Sequence, residues 1–309
     1  MKPKKILALL LTLALAAALC ACAQTPAGDK TGAVSVTDMA DPARTVSLDA
    51  PAQRIVVLDA ADVEILYALG AGDRLVGRGQ YCDWPAEAAD VPAVASGAET
   101  NIEEILALDP QVVIMSIMDQ TVEQVAALEN AGVPVAATNA NTLSGVYEAI
   151  RLVGALCGKD AEADALVNDM VRSLAELATE AEGDGTETVY FEVSPLEYGL
   201  WTAGKNTFMD ELCTALGVTN AFADVDGWAE ISEEQVLERD PDYIVTIGMY
   251  FGEGPTPVEE ILSRGGWQNL QAVQNGRVFQ ADSDSLSRPG PRLIDGARQL
   301  YGFFNPTAE

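Results

Sequence analysis

Asn101-Ile-Glu-Glu-Ile-Leu-Ala-Leu-Asp-Pro110 and Ser232-Glu-Glu-Gln-Val-Leu-Glu-Arg-Asp-Pro241 are one pattern that occurs twice in the chain. Each copy begins with an N-cap residue type, and Glu104 and Gln235 stand three residues later, as in a capping box. Asp-Pro ends each helical pattern and an apolar run follows, which is typical of a helix that leads into a strand. The repeat predicts two α/β units built alike, although unrelated units can also share such caps by chance.

Apolar runs alternate with helical patterns on both sides of these copies. A second echo pairs Glu64-Ile-Leu-Tyr-Ala-Leu-Gly70 with Glu211-Leu-Cys-Thr-Ala-Leu-Gly217. The first of these ends a helical pattern over residues 62–69, where glycine can adopt the left-handed cap. The predicted strands lie in residues 54–58, 75–76, 112–115, 133–137 and 189–193. Strands separated by helices predict parallel sheets with helices on their faces.

A long helix is predicted between the two units. Residues 160–182 carry alanine and leucine at helical spacing and contain no glycine or proline. We therefore predict an α/β fold of two Rossmann-like lobes joined by one long rigid bridging helix. The predicted boundaries are 35–159 for the N-terminal lobe, 160–183 for the bridging helix and 184–309 for the C-terminal lobe.

The first residues of the chain predict export. Three lysines within residues 2–5 precede an apolar stretch over residues 6–19, which is typical of a signal peptide. The stretch is too short for a membrane helix, which needs about 20 apolar residues. Leu19-Cys20-Ala21-Cys22 resembles the bacterial lipobox, so we expect removal of residues 1–21, a lipid on Cys22 and a flexible tether over residues 22–34. This would hold the protein at the outer face of the bacterial cytoplasmic membrane; the alternative is an ordinary cleaved signal that contains cysteine by chance.

Composition excludes several classes of function. The formal net charge of -29 excludes binding to a phosphate backbone, which requires surfaces rich in lysine and arginine. The chain has no histidine, which removes serine-histidine and cysteine-histidine nucleophiles and histidine-ligated metal sites. Asp62, Glu64 and Asp83 are the nearest set to an acid-base site, and we interpret them as a solvated loop and a helix start. We expect a binding protein, with a surface enzyme or an adhesive protein on this scaffold as alternatives.

Further motifs lie along the chain in a fixed order. They are Val36-Thr-Asp-Met-Ala, Arg44-Thr-Val, Pro51-Ala-Gln-Arg-Ile-Val56, Tyr81-Cys-Asp-Trp-Pro85, Thr202-Ala-Gly-Lys205 and Arg288-Pro-Gly-Pro-Arg292. Together with the two copies above, they resemble the substrate-binding lipoproteins of ATP-binding-cassette importers for iron complexes, haem and cobalamin. The resemblance covers nearly the whole mature chain. It implies a small hairpin before the first strand, a ligand cleft between the lobes, no catalysis and no cofactor, and a monomer that delivers its ligand to a permease dimer with ATPase subunits.

Within this family, the parallels are closest to cobalamin-binding members, whose clefts hold the flat macrocycle between aromatic side chains. By resemblance, Tyr81, Trp201 and Trp228 would be those aromatics, in loops that follow strands or precede helices. Aromatic faces suit a broad, weakly polar ring. Asp284 and Arg288 match the polar pair that reaches the amides and the rim of the ligand. The alternative for each aromatic is ordinary packing.

The ligand itself stays open at this point. Residues 96–99, Ser-Gly-Ala-Glu, have no aromatic where cobalamin binders of this type can carry tryptophan. A haem binder would need an iron ligand, for which Tyr81 and Cys82 are candidates. Ferric siderophores, which are anionic, call for several basic groups, and only Arg78, Lys205 and Arg288 are placed near the cleft.

The repeat places Glu103 and Glu234 at equivalent positions, two residues after each N-cap. In the family, equivalent glutamates dock onto arginines of the permease, one on each half of its dimer. A carboxylate in the first helical turn is suited to a bidentate contact with arginine. The alternative is that both only complement the helix dipole, worth about 0.3 to 1 kcal/mol each.

Overall fold

A computed structural model describes residues 32–117, 121–249, 252 and 254–306. Cys22, the predicted signal peptide and most of the predicted tether lie outside these residues. Within the described part of the chain, none of the helices combines the length and apolar character needed to cross a bilayer.

The N-terminal half forms a hairpin and a parallel sheet. Its strands are β1 (Val34–Thr37), β2 (Thr45–Leu48), β3 (Ile55–Val57), β4 (Leu75–Gly79), β5 (Ala93–Val94), β6 (Val112–Ser116) and β7 (Val135–Thr138). β1 and β2 pair antiparallel, as the resemblance implies, and the parallel sheet has the order β5-β4-β3-β6-β7. Its helices are α1 (Ala60–Ala68), α2 (Ile102–Ala107), α3 (Val122–Asn130) and α4 (Leu143–Cys157). β3 and β7 are buried along their whole length because helices cover both faces.

A long helix follows at once, α5 (Asp160–Glu180), which confirms the predicted helix to within two residues. Its buried residues are Ala163, Val167 and Met170, on one face. Gly154 of α4 allows a close crossing, because a Cβ there would lie 2.6 Å from the Cβ of Ala163. The helix is therefore packed against its predecessor rather than free in solvent.

The C-terminal half repeats the parallel architecture. Its strands are β8 (Thr188–Glu192), β9 (Leu200–Ala203), β10 (Thr219–Asn220), β11 (Trp228–Ile231), β12 (Tyr243–Thr246) and β13 (Val278–Gln280). The parallel sheet has the order β10-β8-β12-β13, and β9 and β11 form a separate antiparallel pair. Its helices are α6 (Phe208–Ala215), α7 (Glu233–Arg239), α8 (Pro257–Ser263), α9 (Gln271–Gln274), α10 (Ser283–Ser287) and α11 (Leu293–Phe304). The predicted mixed α/β fold with parallel sheets is confirmed, whereas the residue boundaries of the two lobes stay a prediction.

The internal repeat is visible in the backbone. Ser232 and Gln235 form both hydrogen bonds of a capping box, and the Asn101 side chain accepts the backbone N–H of Glu104. Asp109 and Asp240 follow the two helices with φ of 49° and 43°, in the left-handed region that non-glycine residues rarely adopt. Proline after each aspartate disfavours a further right-handed turn. The two units thus share their cap, their ending and an uncommon backbone conformation.

A buried ion pair ties β8 to α8 inside the C-terminal half. The Arg264 guanidinium donates to the two oxygens of Glu192 at 2.6 and 3.0 Å, and it also bonds Glu260. The side chains of Arg264 and Glu192 are each 2% exposed. The guanidinium lies 4.4 Å from the centre of the Trp267 ring, so an aromatic face covers it as well.

Arg264→Ala should lower the free energy of unfolding by about 3 to 5 kcal/mol, because Glu192 would remain buried without its counter-ion. The matched control is Arg172→Ala on α5, where the arginine is 65% exposed and pairs with an exposed aspartate. That change should cost no more than about 1 kcal/mol. Urea denaturation of both variants measures the difference, and equal losses would contradict the assigned role of the buried pair.

Candidate ligand cleft between the lobes

The carboxyl ends of the two parallel sheets face each other across a cleft. From the N-terminal sheet come Asp59, just beyond β3, and Thr138, the last residue of β7. From the C-terminal half come Ile247, just beyond β12, and Trp228 of β11. Together with their neighbours they enclose a cavity of about 210 Å³. Ligands of open α/β sheets bind outside the carboxyl ends of strands, so this cavity is the candidate site.

A larger cavity of about 780 Å³ continues the cleft along the C-terminal half. It lies beyond the carboxyl ends of β8 and β12, and its walls include Leu196, Tyr198 and Met249. Ile247 and Ser287 line both cavities, so the two cavities are adjacent. Ligand sites are typically concave spaces of several hundred Å³ with largely apolar walls, and the larger cavity has that size.

Trp228 forms a fixed wall of the smaller cavity. Its indole N–H donates to the Asn141 side chain at 3.1 Å, and its ring lies 5.4 Å from that of Phe208, tilted by 59°. Asn141 also accepts the backbone N–H of Phe208 at 2.7 Å. Asn141 belongs to the N-terminal half and both aromatics to the C-terminal half, so the contact also closes the back of the cleft.

The other two predicted aromatics are placed less deeply. Tyr81 lies in the turn after β4, is 73% exposed and lines neither cavity. Trp201 lies on β9, partly exposed, and is bridged to Ser194, a residue of the larger cavity. The expectation that both tryptophans lie in loops is wrong, because Trp201 and Trp228 lie on the paired strands β9 and β11. Their roles in binding stay predictions.

The predicted polar pair belongs to an ion cluster at the rim of the cleft. Arg288 contacts Asp284 at 3.0 Å, Asp83 at 2.7 Å and Glu64 at 3.4 Å. Arg292 donates to Glu64 at 2.9 Å through Nε. Glu64 and Asp83 belong to the N-terminal half, so the cluster joins the two lobes. Contact of Asp284 and Arg288 with a ligand stays a prediction.

The rim cluster also has an aromatic part. The Arg292 guanidinium lies 4.6 Å from the centre of the Trp84 ring. Trp84 and Tyr81 lie in the same loop, so the contact of Trp84 with Arg292 holds this loop at the rim. The stacking of arginine on an exposed indole supports this contact between the lobes.

The interpretation of Asp62 and Glu64 as a helix start is confirmed, since both lie in α1 and Asp62 in its first turn, but both side chains are buried rather than solvated. Their helix α1 packs with its first turn towards the opposite lobe, and only Asp83 is exposed as expected. Burial raises the pKa of Asp62 well above its usual value, and the nearby Asp59 carboxylate raises it further. A hydrogen bond from the Thr138 hydroxyl at 2.8 Å acts in the opposite direction. Asp62 is one of the residues that line the smaller cavity, so this buried acid borders the candidate site.

The candidate iron ligand Cys82 is part of the core. Its thiol is buried and contacts the Leu58 carbonyl at 3.7 Å, and burial, followed by the charge of Asp59, raises its pKa to about 12. A thiol with this pKa is protonated at neutral pH and is a poor metal ligand.

Two of the three predicted basic groups are already engaged. Arg78 donates to the backbone carbonyls of Ala88 and Gly79, at 2.8 and 3.2 Å. Arg288 is held by the carboxylates of the rim cluster. Lys205 is exposed and lines neither cavity.

Glu103 and Glu234 occupy equivalent positions on α2 and α7. Each is the second residue of its helix, and each is exposed. A backbone hydrogen bond, together with the Ser232 hydroxyl, lowers the pKa of Glu234. Both helices therefore present a carboxylate to solvent from the first turn, one on each lobe.

Several residues of the cleft were not predicted from the sequence. Phe208 and Asn141 carry no motif that marks them, and their partner Trp228 lies 87 residues from Asn141 along the chain. Arg292 and Trp84 stand inside quoted motifs, so each could have been found as the second functional residue of its motif. The rule that ligands bind at the carboxyl ends of strands would have pointed to Asp59 and Thr138.

Comparisons with known proteins agree on one family. The profile described as "Periplasmic binding protein" matches residues 55–285. The "Uncharacterized ABC transporter substrate-binding lipoprotein YvrC" of Bacillus subtilis is 34% identical, over 82% of this chain and 81% of its own length.

Two solved structures are similar along most of the chain. The periplasmic vitamin B12-binding protein BtuF of Vibrio cholerae has a TM-score of 0.69 and 28% identity, covering 82% of this chain and 97% of its own. The periplasmic heme-binding protein RhuT from Roseiflexus sp. RS-1 has a TM-score of 0.71 and 26% identity, with the same coverage. These neighbours have the predicted fold of two lobes with a cleft between them.

Asp62→Asn should stabilise the protein at pH 7, because asparagine keeps an acceptor for Thr138 and removes the buried charge. The folded-state pKa of Asp62 is raised, so its ionisation weakens the fold as the pH rises above about 3.9 and through that raised pKa. The gain in free energy of unfolding should therefore shrink as the pH falls towards 4.

The control for this prediction is Asp295→Asn, at an exposed aspartate paired with Arg298. It should change stability by less than about 0.5 kcal/mol at either pH. Denaturation of both variants at pH 4 and pH 7 gives the comparison, and an Asp62→Asn protein that is less stable than the parent at pH 7 would refute the prediction.

Proposed function

This chain belongs to the periplasmic binding protein family, and on that premise we propose that it captures a cobalamin-like corrinoid between its lobes and delivers it to an ATP-binding-cassette importer. The observation that carries the proposal is the pair of adjacent cavities at the facing carboxyl ends of the two sheets, with Trp228 as an aromatic wall of the smaller one. The same role for haem or a ferric siderophore is the alternative. A binding protein needs no activated group, and catalysis on this scaffold is not part of the proposal.

The chemistry of the cleft favours a corrinoid over the other chelates. A corrin offers a broad ring for the Trp228 face and amide groups for the polar residues around it. Haem carries two propionates and siderophores carry acidic groups, and among the described residues that line the two cavities there is no lysine or arginine. Similarity to a vitamin B12-binding protein supports the same choice, while similarity to a heme-binding protein keeps the alternative in view.

Membrane attachment and the permease complete the proposed role. We propose a lipid on Cys22, outside the described residues, on the basis of the lipobox sequence and of a similar protein named as a lipoprotein. Glu103 and Glu234 would dock the two lobes onto the permease, since their helices are equivalent and both carboxylates are exposed.

Mixing the protein with cobalamin, cobinamide, haem and ferric siderophores, followed by desalting, should leave corrinoid absorption with the protein. Trp228→Ala should weaken corrinoid binding by about 1 to 3 kcal/mol, since a half-buried aromatic platform is lost. Trp228→Phe keeps a ring but loses the bond to Asn141, and should fall between the parent and the alanine variant. Trp201→Ala should also weaken binding, through loss of the partly exposed indole on β9, whose backbone is bridged to Ser194 of the larger cavity.

Melting curves of the three variants separate loss of binding from loss of folding. Retained haem or siderophore with no retained corrinoid would overturn the choice of ligand. Corrinoid binding unchanged in Trp228→Ala would move the site away from the smaller cavity.

Glu103→Arg combined with Glu234→Arg should leave ligand affinity within about twofold of the parent and abolish uptake and stimulation of the transporter ATPase. The reason is that arginine would face the arginines of the permease in place of a carboxylate. The matched control is Glu123→Arg with Glu238→Arg, which changes the net charge equally at exposed positions of α3 and α7. Normal uptake with the first pair would show that the two glutamates only complement their helix dipoles.

A further inference from the structure

The arginines at the rim of the cleft are outnumbered by their own carboxylates. Arg288 and Arg292 share three acidic partners, Glu64, Asp83 and Asp284. All of these contacts lie between 2.5 and 3.8 Å. The rim is therefore negative as a whole, and neither guanidinium is available to an anionic ligand without the loss of an ion pair.

At the larger cavity, carboxylates likewise outnumber guanidinium groups. Arg264, the cation behind its wall, is bound by Glu192 and Glu260, which both line the cavity. Glu197 adds an exposed carboxylate to the same wall. One guanidinium thus faces three acids, and it is buried behind them.

The internal residues that the structure does not describe include no positively charged side chain. Residues 118–120 follow the strand β6, and residues 250, 251 and 253 follow β12, but none of them is a lysine or an arginine. Arg78 is bound by backbone carbonyls. An anionic ligand would therefore find carboxylates on both walls and no unengaged cation among the described residues of the cavity lining.

Asp62 is the buried acid that borders the smaller cavity. Its side chain is buried, lines the smaller cavity opposite Trp228 and receives one hydrogen bond, from Thr138, at 2.8 Å. No ion pair to Asp62 is found among the described residues. Asp59, on the same cavity wall, is occupied by the backbone N–H groups of Ala61 and Asp62 at the start of α1. A buried carboxylate without a counter-ion is costly, and a cation placed in the cavity would relieve that cost.

We propose that the cleft selects a corrinoid with net positive charge, and that Asp62 is the residue that determines this selectivity. The inference rests on the proposed function and names the charge class of its ligand. A corrin monoanion around cobalt(III) leaves positive charge on the complex, which neutral axial ligands preserve and anionic axial ligands cancel. The positive charge is spread over the ring. It would therefore attract the Asp62 carboxylate, and the face of Trp228 would provide a second favourable contact for a cation.

The test compares corrinoids of one ring and different charge. Aquacyanocobinamide is cationic and dicyanocobinamide, kept in excess cyanide, is neutral. The parent protein should bind the cationic form at least about tenfold more tightly, a difference of about 1.4 kcal/mol. Asp62→Asn should weaken the cationic form about tenfold and the neutral form less than about twofold. Titrations followed by quenching of tryptophan fluorescence, at low and at high salt, measure both.

Two further variants sharpen the result. Asp59→Asn keeps an N-cap residue type and removes the second carboxylate. Like Asp62→Asn, it should therefore reduce the preference for the cationic corrinoid. Asp169→Asn, at an exposed aspartate of α5 paired with Arg172, removes the same charge far from the cleft and should change neither affinity. An equal loss in this control would show that only the net charge of the protein acts, and would overturn the role of Asp62.

The remaining outcomes separate the two proposals. Equal affinity of the parent for both corrinoids, or tighter binding of the neutral form, overturns charge selection and leaves the proposed function standing. A shift of the cobalt absorption bands that disappears in Asp62→Asn would show direct coordination of cobalt and would overturn selection through charge. No binding of any corrinoid, with haem retained instead, overturns both proposals.

Discussion

The Glu64 carboxylate is the point on which the arrangement of the lobes depends. Its side chain is 2% exposed, and a carboxylate buried to this extent needs a counter-ion. The counter-ions come from the other half of the chain: Arg292 donates to it through two nitrogens, and Arg288 adds a longer contact. Removal of one partner from such a pair leaves an uncompensated buried charge, at a cost of about 3 to 5 kcal/mol. The lobes are therefore held in one relative position by charge as well as by the covalent link through α5.

The internal repeat gives this contact a counterpart on the other side of the cleft. Glu64 corresponds to Glu211 in the second echo, and the Glu211 carboxylate accepts the backbone N–H of Leu143 at 2.6 Å, at the start of α4. Each lobe thus sends the same glutamate of the same helix into the other lobe. The partners differ, an arginine pair in one case and a helix N-terminus in the other, but both neutralise a carboxylate. Related halves that face each other through equivalent helices place both sets of strand ends on one cleft.

Local signals allowed much of the fold to be predicted. The caps at Ser232 and Asn101, the Asp-Pro endings and the uninterrupted pattern of α5 depend on residues a few positions apart, and each was predicted correctly. The burial of Asp62 and Glu64 could not be predicted in this way, because the groups that cover and pair with them arrive more than 70 and more than 200 residues later. Acids in a first helical turn are usually solvated, but here Thr138 of the same lobe binds Asp62 and arginines of the opposite lobe pair with Glu64. Trp201 and Trp228 were placed in loops for a similar reason, since β9 and β11 pair outside the parallel sheets.

The contacts that hold the lobes together restrict what the cleft can recognise. Arg288 and Arg292 lie at its rim, but an anionic ligand that recruited them would take them from Glu64 and loosen the junction of the lobes. Arg264 is equally committed, since it neutralises Glu192 at the end of β8. The proposed recognition therefore rests on the face of Trp228 and the carboxylate of Asp62, neither of which forms an ion pair with these arginines. Because these arginines stabilise the architecture of the protein, the proposed binding through aromatic area and negative charge follows from the way the lobes are joined.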